Sequence, residues 1–192
     1  LQRLGAQVTL IEADAVLGRE DPDAAAVVVD QLKADGVSVL AGCKAVRVEP
    51  GPTVVVSGPD GEQRIAGSHL LIALGRQASL DGLNLDVAGV VFDRAGVKTD
   101  RSLRTSNRRV FAIGDAAGRG QFTHLAGAHA GLFVRKALFA APINADTLLV
   151  PRVTYTSPEL AAVGLTEAQA RAAHGDDVRV LVQPFADNDR AQ

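Results

Sequence analysis

The chain has 192 residues, 47% hydrophobic and 22% charged, with a formal net charge of −2. Neither sign of charge dominates, which argues against a nucleic-acid partner or a polybasic membrane contact. One cysteine, Cys43, excludes a disulfide framework and a thiolate zinc site, and apolar runs of only strand length exclude a membrane-spanning helix. A cytoplasmic protein is the expectation.

Leu1 to Gly5 reads as the last turn of a helix with a glycine stop, and residues 7–12 (QVTLIE) as a strand ending in a carboxylate. A chain that opens inside an element, and runs off just past a strand at 185–190, is expected to be a piece of a longer protein. Asp21-Pro22 opens a helix that Gly36 stops, with Asp as N-cap and Pro in the first turn. VSVL, AVRVE and TVVVSG then read as strands, and Pro59-Asp60-Gly61 turns the chain into EQRIA. Residues 69–74 (HLLIAL) read as a buried strand by composition, ending in Gly75-Arg76.

A polar, Gly-rich stretch follows from Ala78 to Ser106, with short apolar pieces GVVFD and GVKTD. Residues 109–113 (RVFAI) read as a strand before Gly114-Asp115, and Leu125 to Phe139 as a helix. Pro142 and Pro151 bracket a linker. The tail reads as strand (RVTYT), turn (SPELAAVG), helix (TEAQARAAHG) and strand (VRVLVQPF), with Thr166 and Gln169 forming a capping box.

Glu12 ends its strand, where a dinucleotide-binding βαβ unit carries an acid that accepts hydrogen bonds from the adenosine ribose. An ordinary solvated strand end remains the alternative. A carboxylate there favours NAD, because it repels the 2′-phosphate of NADP. Asp115 follows a strand on a glycine turn, at the strand's carboxyl end, where open α/β sheets bind ligands. It can accept from sugar or sugar-alcohol hydroxyls, or it can merely cap the next segment. Gln121, Phe122, Thr123 and His124 lead into a helix whose free N–H groups suit an anionic or electron-rich ring edge, such as a reduced flavin. His124 and His129 invite an acid–base role, but partly buried polar residues near a helix start is the simpler reading. Five residues apart, they lie on different helix faces and form no metal pair. Cys43, flanked by strand residues and without a neighbouring base, reads as structural.

Together these segments resemble the pyridine nucleotide-disulfide oxidoreductase family, with dihydrolipoamide dehydrogenase, glutathione reductase and mercuric reductase among its members. RLGAQVTLIE looks like the end of the first βαβ unit of the NAD domain, and LLIALGRQAS like its closing strand. KTDRSLRTSNRRVFAIGDAAG is similar to the segment returning to the FAD domain, and VPRVTYTSPELAAVGLTEAQA to the opening of the C-terminal interface domain. FTHLAGAHAG departs from the dihydrolipoamide dehydrogenase pattern and leans toward mercuric-reductase-like relatives.

The resemblance implies an α/β fold: partial Rossmann-like FAD- and NAD-binding domains followed by the start of an α+β interface (dimerisation) domain. Its expected divisions are 1–77 for the NAD part, 78–147 for the FAD part and 148–192 for the dimerisation part. It implies FAD and NAD as cofactors, with NADP possible. Glu12 would bind the NAD ribose, Ala45 and Gly75 would touch NAD through backbone, Asp115 would hold the ribityl chain, and Gln121 to His124 would approach the isoalloxazine. No residue here is expected to be catalytic, because the glycine fingerprints, the redox cysteine pair and the terminal His motif are expected outside the chain. The implied activity passes a hydride from NAD(P)H through FAD to a disulfide or related small-molecule acceptor, in a homodimer formed through the C-terminal domain. A thiol-independent two-dinucleotide flavoprotein reductase, or a noncatalytic nucleotide-binding module, stands as the alternative.

Overall fold

The computed structural model describes residues 1–190. Two units emerge from the packing, Leu1–Leu71 with the described residues from Pro151 onward, and Ile72–Val150.

In the first unit a single 3₁₀ turn, Gln2–Leu4, ends at left-handed Gly5 and leads into β1 (Thr9–Glu12). Helix α1 (Pro22–Ala34) begins where Asp21 and Pro22 predict, and it buries Ala25 and Val28, three residues apart on one face. It returns the chain to β2 (Ser38–Ala41), which pairs parallel with β1 from Thr9↔Ser38 to Glu12↔Ala41. That β–α–β crossover is the Rossmann-like element.

Next comes an antiparallel meander of β3 (Lys44–Glu49), β4 (Thr53–Gly58) and β5 (Gly61–Ala66), with a bulge between Ala45 and Arg47. Alternation sorts its two faces. Val54, Val56 and Ile65 pack with Cys43, Ile11 and Leu40 into one core, which confirms Cys43 as a buried, structural thiol. On the other face Val55 is fully buried although it pairs with Arg47 and Arg64. Those arginines are bonded to Glu49 and Glu62 across the strands that flank it.

The chain after Pro151 supplies β8 (Arg152–Thr154), β9 (Leu160–Ala162) and α3 (Glu167–His174) to the same unit. The capping box forms as expected: Thr166 Oγ1 accepts from Gln169 N, and Gln169 Oε1 accepts from Thr166 N. Three polar ties fasten this tail to the βαβ unit. Arg152 donates to both carboxylate oxygens of Glu20, at 3.2 and 3.1 Å. Asp21 Oδ1 accepts from Glu167 N at 2.8 Å, so the N-cap of α1 spends its side chain on the start of α3. Arg3 reaches the Ser157 carbonyl at 3.1 Å.

The second unit is built on α2 (Thr123–Phe139), a small hairpin of β6 (Phe92–Asp93) and β7 (Gly96–Val97), and a 3₁₀ turn at Gly114–Ala117. Val90, Val97, Ala112 and Ala117 form one core; Leu103, Leu132 and Ala145 form another. Arg119 binds the unit together through its guanidinium, which donates to Thr99 Oγ1, the Thr99 and Asp100 carbonyls and Asp146.

Several expected elements differ. Residues 69–74 are not a strand: they are irregular and exposed, because no described strand offers them a ladder. Residues 178–184 lack strand structure for the same reason, and Phe185–Asp187 is a 3₁₀ turn. Residues 109–113 contribute only one bridge, Arg104↔Phe111. Part of the expected turn SPELAAVG is in fact β9. The expected linker between Pro142 and Pro151 is packed, with Ala145 buried against Leu103 and Leu132. The last two residues of the expected dimerisation segment 148–192 lie outside the described residues.

Candidate functional site

Asp115 sits second in the 3₁₀ turn Gly114–Ala117, and its carboxylate is exposed. The turn is pressed onto α2: Gly114 has φ +61°, and a Cβ there would lie 2.9 Å from Ala126 Cβ. Only glycine tolerates both the conformation and the approach. Gly114 N–H donates to His129 Nδ1 at 3.1 Å. No described donor hydrogen-bonds the Asp115 carboxylate, which leaves its acceptor capacity for a ligand.

Helix α2 begins at Thr123, two residues earlier than the sequence suggests, with Phe122 as N-cap. A phenyl ring cannot accept a hydrogen bond, so no side chain caps the first turn and its N–H groups remain available. His124 is exposed and its ring stacks on Phe122, with centroids 5.3 Å apart. Gln121 and Arg76 hold one another: Arg76 donates to the Gln121 carbonyl at 2.6 Å, and Gln121 Nε2 donates to the Arg76 carbonyl at 3.1 Å. This pair joins the Gly75-Arg76 segment, where Gly75 has φ +104°, to the approach of α2. Gly75, Asp115 and Gln121 to His124 therefore belong to one packed unit.

His129 is the residue whose importance the sequence conceals. It is buried inside α2, with 1% of its surface exposed. Burial, and then the nearby charge of Arg119, hold its pKa below the ordinary histidine value. An imidazole accepting through Nδ1 carries its proton on Nε2. The expected reading of a partly buried polar residue was right in kind but understated the burial. Its partner lies 15 residues away, beyond the reach of local pattern.

In the other unit Glu12 closes β1 at the carboxyl end of the parallel pair. Its Oε1 accepts from Asp14 N at 3.2 Å, and its backbone carbonyl accepts from Cys43 N at 3.0 Å. Ala45, two residues on, is exposed at the β3 bulge. Glu12 closes a strand of the β1–β2 pair, and Ala45 lies near the start of the β3–β4–β5 meander. Among the described residues no three His, Cys, Asp or Glu side chains gather as a metal site, and no helix is long and apolar enough to cross a membrane.

The arrangement fits a flavin. An unengaged carboxylate on a glycine turn matches a polyol, and an uncapped helix start a few residues later matches the electron-rich edge of a ring. Comparison with known proteins agrees. The description "pyridine nucleotide-disulphide oxidoreductase" matches residues 1–130, and its dimerisation domain matches residues 150–192. A mercuric reductase of Streptomyces lividans is 40% identical, covering 87% of this chain and 36% of that protein. A dihydrolipoyl dehydrogenase of Bacillus subtilis is 36% identical over 98% of this chain and 41% of its own. The chain thus spans about two-fifths of the curated relatives it matches.

Among solved structures, the HOCl-induced flavoprotein disulfide reductase RclA of Escherichia coli superposes with a TM-score of 0.80 at 30% identity, covering 98% of this chain and 44% of that one. LpdA of Mycobacterium tuberculosis superposes with a TM-score of 0.81 at 29% identity, covering 99% and 42%. This family is one of FAD-dependent enzymes that use NAD(P)H. With two family descriptions matching in order along the sequence, and the βαβ unit, the glycine turn and the uncapped helix in place, the chain belongs to the pyridine nucleotide-disulphide oxidoreductase family.

Proposed function

We propose that this chain is part of a flavoprotein that passes a hydride from NADH through FAD to a disulfide or related acceptor. The observation that carries the reading is Asp115, an unengaged carboxylate on a glycine turn beside the uncapped start of α2. FAD, when bound, would supply the redox chemistry between nicotinamide and the acceptor. The chain's own residues bind and orient. Asp115 accepts from ribityl hydroxyls, and the N–H groups at the start of α2 stabilise negative charge on the ring. Gln121, Phe122, Thr123 and His124 line that approach.

Glu12 serves the NAD ribose, and Ala45 admits the dinucleotide along its backbone. Glu12 also sets cofactor choice for NADH over NADPH, since its carboxylate repels a 2′-phosphate. Residues 1–77 belong to the NAD-binding part, 78–147 to the FAD-binding part and 148–192 to a dimerisation part, and the full-length protein is a cytoplasmic homodimer. Nothing in the fold favours a thiol-independent reductase, whereas the match of residues 150–192 to the dimerisation domain favours the disulfide-type reading.

The test uses the full-length protein. One charge-assisted hydrogen bond is worth roughly 1.5–3 kcal/mol, so Asp115→Ala is expected to weaken FAD binding about ten- to a hundredfold in an apoprotein titration. FAD affinity equal to wild type would return Asp115 to a plain turn residue. In the same preparation kcat/KM should be higher for NADH than for NADPH, and a clear NADPH preference would remove Glu12 from the ribose site.

A further inference from the structure

We infer that His129 is the positioning residue for the flavin-facing turn, its buried imidazole fixing Gly114 and thereby Asp115. This rests on the reading of Asp115 as the ribityl ligand. Gly114 N–H opens its 3₁₀ turn and has no partner within that turn, and it is buried away from water. His129 Nδ1 supplies the acceptor at 3.1 Å. Three residues earlier on the same helix face, Ala126 presses against Gly114. The turn is therefore clamped at two points along one helix. Asp115 follows immediately, and with no described donor on its carboxylate, the backbone positions it: this clamp on one side and the Gly118 N–H bond to the Asp115 carbonyl on the other.

The clamp works in one protonation state. Nδ1 accepts only while unprotonated; a proton there turns the acceptor into a second donor facing Gly114 N–H. Burial, and then the Arg119 charge, lower the His129 pKa and so favour the unprotonated ring. The charged or titratable groups on the packed elements are Arg119, itself paired with Asp146, Asp115 in the turn, and His124, Arg135 and Lys136 on α2 itself. Of these, Arg119 adds to burial in opposing a proton on His129. Acidification should therefore release the turn, and with it the flavin.

The experiment titrates FAD into the full-length apoprotein and follows FAD release from the holoprotein by flavin fluorescence. His129→Leu, which fills the space without an acceptor, is expected to raise the FAD Kd about tenfold, the scale of losing one hydrogen-bonded support. His129→Asn places an amide oxygen near the position of Nδ1 and should stay within about twofold of wild type. In wild type the Kd should rise as pH falls below the ordinary histidine range, and that rise should be absent in His129→Asn. Asp115→Ala serves as the reference. If Asp115→Ala binds FAD as wild type does, the flavin reading itself fails. If Asp115→Ala weakens FAD while His129→Leu does not, or while Asn is as weak as Leu, the positioning role alone is overturned. Should His129→Leu not fold, the pH profiles of wild type and His129→Asn decide, and superimposable profiles overturn the inference.

Discussion

The meander β3–β4–β5 and the segment 69–74 are both rich in branched apolar residues, yet they end in opposite environments. Val54, Val55 and Val56 are buried at 7%, 0% and 1% exposure, while Leu71, Ile72 and Leu74 stand at 78%, 69% and 93%. The difference is pairing. Each strand of the meander meets its neighbour across a turn of a few residues, so local closure supplies the ladder. Residues 69–74 have no such neighbour among the described residues, and an apolar strand without a ladder has neither its hydrogen bonds nor its packing. Strand formation follows the partner; composition only makes it possible.

The largest expected effect sharpens the meander side. Val56 packs with Cys43, Ile11 and Leu40 at one end of the parallel pair, so one residue supports both sheets. Val56→Asp puts an unpaired carboxylate into that core and should cost about 4 kcal/mol or more. Urea unfolding of the chain measures this, and a loss under about 1 kcal/mol would show that the meander does not carry the unit's core.

A smaller effect probes closure over long sequence separation. Glu20 and Arg152 lie 132 residues apart, and their side chains are 11% and 27% exposed. The Glu20 pairing, first by hydrogen bonding and then by charge, raises the Arg152 pKa. Glu20→Gln leaves the arginine with one neutral acceptor in place of a carboxylate, at a cost of about 1–2 kcal/mol after allowing for partial exposure. A double-mutant cycle with Arg152→Met isolates the pair. A coupling near zero would mean that the tail is held by packing alone.

The same division separates what was legible in the sequence from what was not. Features with local causes read correctly: Asp21-Pro22 opening α1, the Pro59-Asp60-Gly61 turn, and the Thr166–Gln169 capping box. The glycine turn at Gly114 and, to within two residues, the start of α2 were legible because both are local signals. Features set by distant partners were not. Leu160–Ala162 looks like part of a turn until Arg152–Thr154 lies beside it. Residues 109–113 have strand composition but find only the single bridge to Arg104. Arg76 meets Gln121 across 45 residues, and Gly114 meets His129 across 15. Even Asp21 was read correctly as an N-cap while its carboxylate serves another helix entirely.

The smallest expected effect bears hardest on the comparison. Leu74 is nearly fully exposed, so Leu74→Ser removes no buried contact and opens no cavity. In the 192-residue chain the change in unfolding free energy should fall within about 0.5 kcal/mol, the range of surface substitutions away from special features. A leucine paired and covered in a sheet behaves otherwise, because truncating a buried Leu typically costs about 2–5 kcal/mol. The same urea experiment that reads Val56→Asp therefore assigns segment 69–74 to one regime or the other. Amide exchange supplies an independent reading: residues 54–56 should be protected by their ladders, and residues 71–74 should exchange at close to the rate of an open chain. Protection at 71–74 together with a loss of about 2 kcal/mol in Leu74→Ser would mean that the segment has found a ladder. The contrast between the two apolar regions would then rest on something other than pairing.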